Sequence, residues 1–96
     1  MTDNIKIFAR RLKELRNEKG ITQEDLARRI GCPSSLISYY ETMQREPGFS
    51  NILALCEVLE ETPDYLMGIV DYRNVKKSLN EKIAERWGIV HSQQRR

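Results

Sequence analysis

Apolar residues recur along this chain at three- to four-residue steps, in blocks that end at single glycines, the period of helices buried on one face. Ile5, Phe8, Leu12 and Leu15 step in this way before Gly20, which predicts a first helix from about Asn4 to Lys19. Thr22 can cap a second helix that Gly31 closes. Asp25 follows three residues on as a shorter capping-box acid, and Ile21 and Leu26 take the staple positions. A third helix is predicted over Ser34 to Thr42, with Cys32 and Ile37 able to form another staple. A fourth runs from Phe49 to Leu59 or Glu60 and buries Ile52, Leu55, Cys56 and Leu59. In Thr62-Pro-Asp-Tyr-Leu-Met67, Thr62 caps, Pro63 takes the first helical position and Asp64 meets the positive helix end, so a short fifth helix is expected before Gly68.

The expected core is Phe8, Leu12, Leu15, Leu26, Ala27, Ile30, Ile37, Tyr40, Ile52, Leu55, Leu59 and Leu66. The fold class is all-α, a compact five-helix bundle over residues 1–68. Residues 69–96 read as a second unit. Tyr72, Val75, Leu79, Ile83 and Trp87 step by three or four, which predicts an additional amphipathic helix over residues 72–87 with a basic opposite face. A helix of ~16 residues is marginal alone in water, so this stripe is expected to dock on its own domain or to pair with a second chain. The residues from Ile89 onward are expected to fray.

The stretch from Gln23 to Glu41 carries a sharper pattern. Two short helices crossing steeply need a small side chain where their backbones approach, and Ala27 supplies it. The tight turn between them needs a residue tolerant of positive φ, and Gly31 provides it. This is the spacing of a helix-turn-helix, whose second helix fits the major groove of DNA.

Ninety-six residues suffice for one small domain, and 40% hydrophobic with 31% charged residues argues against disorder throughout. No apolar run approaches the ~18 residues of a membrane span and no signal-peptide pattern is present, so a cytoplasmic protein is expected. Cys32 and Cys56 are too far apart for a metal-binding or redox pair and fall at apolar helix positions, as core fillers would. The net charge of +2 hides a strong partition along the chain. Residues 1–19 carry +3, residues 20–45 balance, residues 46–72 hold six acids and no Lys or Arg, and residues 73–96 carry +5. A chain approaching phosphates should keep its acids on the far side, which places the fourth and fifth helices behind the reading surface.

At Leu12-Lys-Glu-Leu-Arg16, Ile21-Thr-Gln-Glu-Asp-Leu-Ala-Arg-Arg-Ile-Gly31, Arg45-Glu-Pro47 and Thr62-Pro-Asp-Tyr-Leu-Met-Gly68, the chain resembles the phage-repressor and Cro-like (XRE-type) helix-turn-helix family. The resemblance covers residues 5–68. It implies a lambda-repressor-like DNA-binding domain acting as a transcriptional regulator, a repressor above all, on double-stranded DNA as a homodimer. Carried over position by position, Ser34, Ser35, Ser38 and Tyr39 fall at the family's base-facing positions. Gln23, Thr22, Arg16, Thr42 and Arg45 fall at or beside its phosphate contacts. Arg16 and Glu41 match a pair linking the first helix to the end of the third. Three departures stand out: Pro33 replaces the usual capping serine, Met43 stands where glycine is common, and residues 34–42 contain no Lys or Arg. Groove entry then relies on Arg45, Gln23, the first helix and helix N-termini. A dimer spanning half-sites roughly 34 Å apart would offset modest affinity per monomer.

A competing expectation is a protein-interaction module, or an antitoxin-like partner-binding protein, favoured by the uncharged third helix and the acidic block. An enzyme is not expected. His91, the only histidine, has no Cys or carboxylate at triad or ligand spacing, and the five glycines form no phosphate loop. No cofactor, metal or small-molecule ligand is expected.

Overall fold

A computed structural model describes residues 3–73 of the chain. They form α1 (Asp3–Glu18), α2 (Gln23–Ile30), α3 (Ser34–Glu41), α4 (Phe49–Leu59) and α5 (Pro63–Leu66), each within about a residue of its predicted bounds. Backbone at Tyr72 is bent and Arg73 is not helical, and the rest of the helix expected over residues 72–87 lies outside the described residues. None of the described helices is long and apolar enough to cross a membrane.

The expected core forms, with one exception. Phe8, Leu12, Leu15, Leu26, Ala27, Ile37, Tyr40, Ile52, Leu55, Leu59 and Leu66 are buried in one cluster. Ile30 is only half-buried at its margin, because it is the last residue of α2 and the chain turns away there. Ile21, Cys56 and Tyr65 complete the cluster, and Cys32 packs on its edge. Phe8 meets Tyr40 edge to face, with ring centroids 5.8 Å apart, and Asn51 Nδ2 donates to the Tyr40 hydroxyl at 2.8 Å. That bond lets a tyrosine sit in the core with its polar tip satisfied. Burial, with the Glu61 charge nearby, pushes the Cys56 thiol up to about 11, so it stays a neutral packing group.

Local chemistry sets the helix boundaries. The Thr22 hydroxyl accepts from the Asp25 amide at 2.9 Å and the Thr62 hydroxyl from the Tyr65 amide at 3.2 Å. Gly31 ends α2 in the left-handed conformation (φ 77°), and the Cys32 amide then donates to the Ala27 carbonyl at 2.9 Å. Pro33 begins α3 with no side-chain cap, as its chemistry requires. The Asp25 carboxylate bonds Arg28 one turn on, which holds it below the usual carboxylate range.

Beyond α5 the chain runs back along α1. Asn4 Nδ2 donates to the Met67 carbonyl at 2.8 Å, near the start of α1. In the middle of α1, the buried Arg11 donates to the carbonyls of Tyr65 and Val70 and lies 3.6 Å from the Asp71 carboxylate. Arg73 then bonds Glu61 at 3.0 Å and Glu18, at the end of α1, at 2.9 Å. Both guanidinium groups lie over the Tyr65 ring, Arg11 at 4.0 Å and Arg73 at 5.7 Å from its centroid. Residues 69–73 thus form a strap tied down by ions and carbonyls rather than by a hydrophobic stripe.

Gly68 closes α5 at φ 82°, and a Cβ there would meet Ile7 Cγ2 at 2.9 Å, whereas a Cβ on Gly31 would meet nothing within 4 Å. We expect Gly31→Ala to cost about 1 kcal/mol from backbone strain alone. Gly68→Ala should add roughly 1–3 kcal/mol of overpacking. Urea denaturation of the two variants checks this, and equal losses would mean that Ile7 yields.

Candidate nucleic-acid interface

One edge of α3 is committed to the core through Ile37 and Tyr40. At 100° per residue, Ser35 and Tyr39 therefore stand on the opposite edge, with Ser34 and Ser38 along the side that also carries Glu41. Ser34, Ser35 and Tyr39 are exposed, and Ser38 is half-buried. Tyr39 is 37% exposed, and Arg45, from the loop after α3, places its guanidinium 5.6 Å from the centre of that ring. Ser35, Tyr39 and Arg45, with Pro33 and Leu36, line a shallow depression of about 290 Å³. The amides of Gln44 and Arg45 both donate to the Tyr39 carbonyl, at 2.8 and 3.3 Å, which turns the loop back over the helix end. A region of α3 without cations thus acquires one in space, from outside the helix.

The second cluster sits behind this strip. Glu41 Oε2 accepts from Arg16 Nε at 2.7 Å, and Oε1 accepts from Arg16 at 3.1 Å and from Gln23 Nε2 at 3.0 Å. Arg16 also donates to the Ile21 carbonyl at 3.0 Å. The Arg16 and Glu41 side chains are 11% and 4% exposed, and their mutual bonds hold the guanidinium above its ordinary pKa. One carboxylate therefore ties α3 to α1 and to the first residue of α2. Gln23 keeps a second amide N–H beside the free backbone N–H groups at the start of α2, an environment that favours an anion.

The remaining residues expected at phosphates differ in how open they are. The Thr22 hydroxyl serves as the α2 cap. The Thr42 hydroxyl donates to the Ser38 carbonyl at 2.8 Å and accepts from Gln44 at 2.8 Å, so its first role is to close α3. Arg16 is the least accessible of the set, with three N–H bonds made inside the protein. Sequence reasoning missed two contacts, Gln23 to Glu41 and Arg45 over Tyr39. Glu41 lies one turn beyond Ile37 on the inward side of α3, a signal that could have marked it; the Arg45 contact has no local signature.

On the far side of the core, α4 packs on α2 and α5, and α5 on α1. Of the six acids of residues 46–72, Glu57 lies on α4 and Asp64 on α5, and Glu46, Glu60, Glu61 and Asp71 lie on the connections and the strap; none is on α3. Among the described residues, no group of three or more His, Cys, Asp or Glu is placed to hold a metal.

This geometry, a tight helix pair with an open second helix, defines a helix-turn-helix protein. The helix-turn-helix family model matches residues 12–66, and the chain belongs to that family in its XRE-type form. It is 33% identical over 84 residues to the HTH-type transcriptional regulator ImmR of Bacillus subtilis (strain 168), covering 81% of this chain and 66% of the relative. It is 33% identical over 64 residues to Repressor protein C2 of Salmonella phage P22, covering 67% of this chain and 30% of the repressor. The crystal structure of the restriction-modification controller protein C.AhdI from Aeromonas hydrophila superposes with a TM-score of 0.63 at 37% identity, covering 68% of this chain and 98% of that one. The P22 c2 repressor in complex with synthetic operator 9T superposes with a TM-score of 0.62 at 33% identity, covering 64% and 92% of the two chains. The chain spans about six-tenths of the length of the Bacillus relatives it matches.

Replacing Glu41 by Ala leaves a buried guanidinium with its charge uncompensated. We expect a loss of roughly 3 kcal/mol in urea denaturation. Glu41→Gln, which keeps an acceptor, should lose less. Met43, in the left-handed region at φ 64° and exposed, should respond oppositely: Met43→Gly is expected to raise stability by about 0.5–1 kcal/mol, and Met43→Val to lower it.

Proposed function

We propose that this chain is a sequence-specific DNA-binding transcriptional regulator, a repressor, acting in the cytoplasm as a homodimer on an operator with two half-sites. The observation that carries this reading is the outward strip of α3. Ser35 and Tyr39 stand open beside Arg45, on a helix locked to the body by the Glu41 carboxylate. A rigid helix with an open polar edge suits insertion into a major groove. The similarity to a repressor solved on operator DNA supports it.

Roles follow from position. Ser34, Ser35, Ser38 and Tyr39 face base edges, and Tyr39 offers its ring to a thymine methyl or its hydroxyl to a phosphate. Arg45 and Gln23 bind phosphates, joined by Thr22, Thr42 and the two remaining N–H groups of Arg16. Serines read base edges with little discrimination, so Tyr39 carries most of the sequence preference. Residues 1–68 form the DNA-binding unit in this reading and residues 69–96 the element that joins two copies. The uncharged α3 and an exposed apolar surface at Phe49, Leu53 and Ile69 favour a second reading, a protein-interaction module with a weak DNA-reading face. Neither reading involves catalysis.

Selection of bound duplexes from random DNA, followed by affinity measurement across salt concentrations, separates the two. Steep weakening with salt is expected, and Arg45→Ala should reduce the salt slope by about 1 while weakening all sequences alike. Tyr39→Ala combined with Ser35→Ala should flatten sequence preference more than total affinity. Selection that yields no preferred sequence at low salt would sink the DNA-reading proposal.

A further inference from the structure

A second surface feature, apolar in its lining, shares no residue with α3. A groove of about 400 Å³ opens between the start of α1, the loop before α4 and the end of α5, walled by Ile5, Phe8, Pro47, Ile52, Met67 and Ile69. Phe49, one turn before Ile52, is 79% exposed, Leu53 stands four residues on from it, and Ile69 is 63% exposed. Large side chains clustered this way mark a surface that something covers. Its lining carries one acid, Glu46, and no Lys or Arg.

The chain itself carries a matching segment. Val75, Leu79, Ile83 and Trp87 form an apolar stripe at helical spacing, flanked by Lys76, Lys82 and Arg86, within a segment of charge +5, whereas residues 46–72 carry −6. Stripe and groove are complementary in both hydrophobicity and sign. Which copy supplies the stripe follows from where the strap ends. Arg73 is bound to Glu18 and Glu61, at the opposite end of α1 from Ile5. Thirteen helical residues separate Ile5 from Glu18, about 20 Å. To reach its own groove the chain would have to reverse at Asn74 and run that whole distance, bringing only the Trp87 end of the stripe to the cleft. A second copy suffers no such restriction and can lay the full stripe along it.

We infer that the groove receives residues 75–87 of a second copy of this chain, so that two copies exchange their basic C-terminal segments. This rests on the homodimer proposed above and names the surface that makes it. The strap of residues 69–73 then has a role: clamped to α1 by Arg11 and Arg73, it sets the direction in which the exchanged segment leaves.

Trp87 is the only tryptophan, so its fluorescence reports the contact in the full-length protein. In the dimer its emission should be blue-shifted. On dilution it should move to the red in step with dissociation measured by sedimentation. Ile69→Glu, an exposed groove residue, and Ile83→Glu, in the stripe, should each weaken the dimer by about tenfold or more and red-shift the emission at fixed concentration. Circular dichroism must show the helical content retained. A red emission in an intact dimer would overturn the docking, and a blue emission unaffected by dilution would assign the groove to the chain's own segment, overturning the exchange. A blue, dilution-sensitive emission indifferent to Ile69→Glu would move the contact elsewhere, such as stripe against stripe, and overturn the groove. Each of these results leaves DNA reading standing. A monomer at every concentration overturns both the exchange and the homodimer, while selection of a preferred sequence would still test DNA recognition separately.

Discussion

The Glu41 carboxylate is the constraint on which the rest of this domain depends. It accepts from Arg16 and Gln23 at once, so a single buried acid fixes the end of α3 against α1 and the start of α2. A pair this shielded gains little net energy over apolar residues of the same size, because both charges lose their water. What it supplies is direction. Hydrophobic packing through Ile37 and Tyr40 tolerates small rotations of an eight-residue helix; two charge-assisted bonds from a planar guanidinium do not. A helix that presents four uncharged side chains to its surroundings needs that rigidity, because each contact it offers is weak.

Charge is distributed to the same end. The outward edge of α3 has no cation of its own, and Arg45 is brought over Tyr39 from the following loop. Acids are concentrated on α4, α5 and their connections, and α3 carries one, the buried Glu41. Cations on the strap and α1 are mostly neutralised in place: Arg11 by carbonyls and Asp71, Arg73 by Glu18 and Glu61, Lys19 by Glu60. The two faces of the molecule thus differ in kind. One is polar, open and held rigid; the other is apolar and grooved, with Glu46 in its wall.

How much of this was legible in the sequence depends on the range of each interaction. Helix boundaries were readable because caps and stops act over three or four residues: Thr22 with Asp25, Thr62 with Tyr65, Gly31 at the end of α2. Core positions were readable from the period, apart from Ile30, whose burial depended on where the chain turned. Arg11 was the instructive omission. It occupies a helix position whose neighbours suggest a solvated cation, yet it is buried under Tyr65 and Val70, 54 and 59 residues away. No periodicity signals a cation that finds its carbonyls across the fold. Glu41 was paired with Arg16 through family likeness, but the third partner, Gln23, emerged only in three dimensions.

By itself, then, the sequence determined the five helices, their inward faces, and the tight pair formed by α2 and α3. Those depend on the turn chemistry and apolar period of contiguous residues. The tertiary structure alone decided the hub at Glu41, the cation over Tyr39, the strap along α1 and the groove at its other end. Each of these is made by groups far apart in sequence, whose meeting depends on how the helices pack and cannot be encoded in any single stretch.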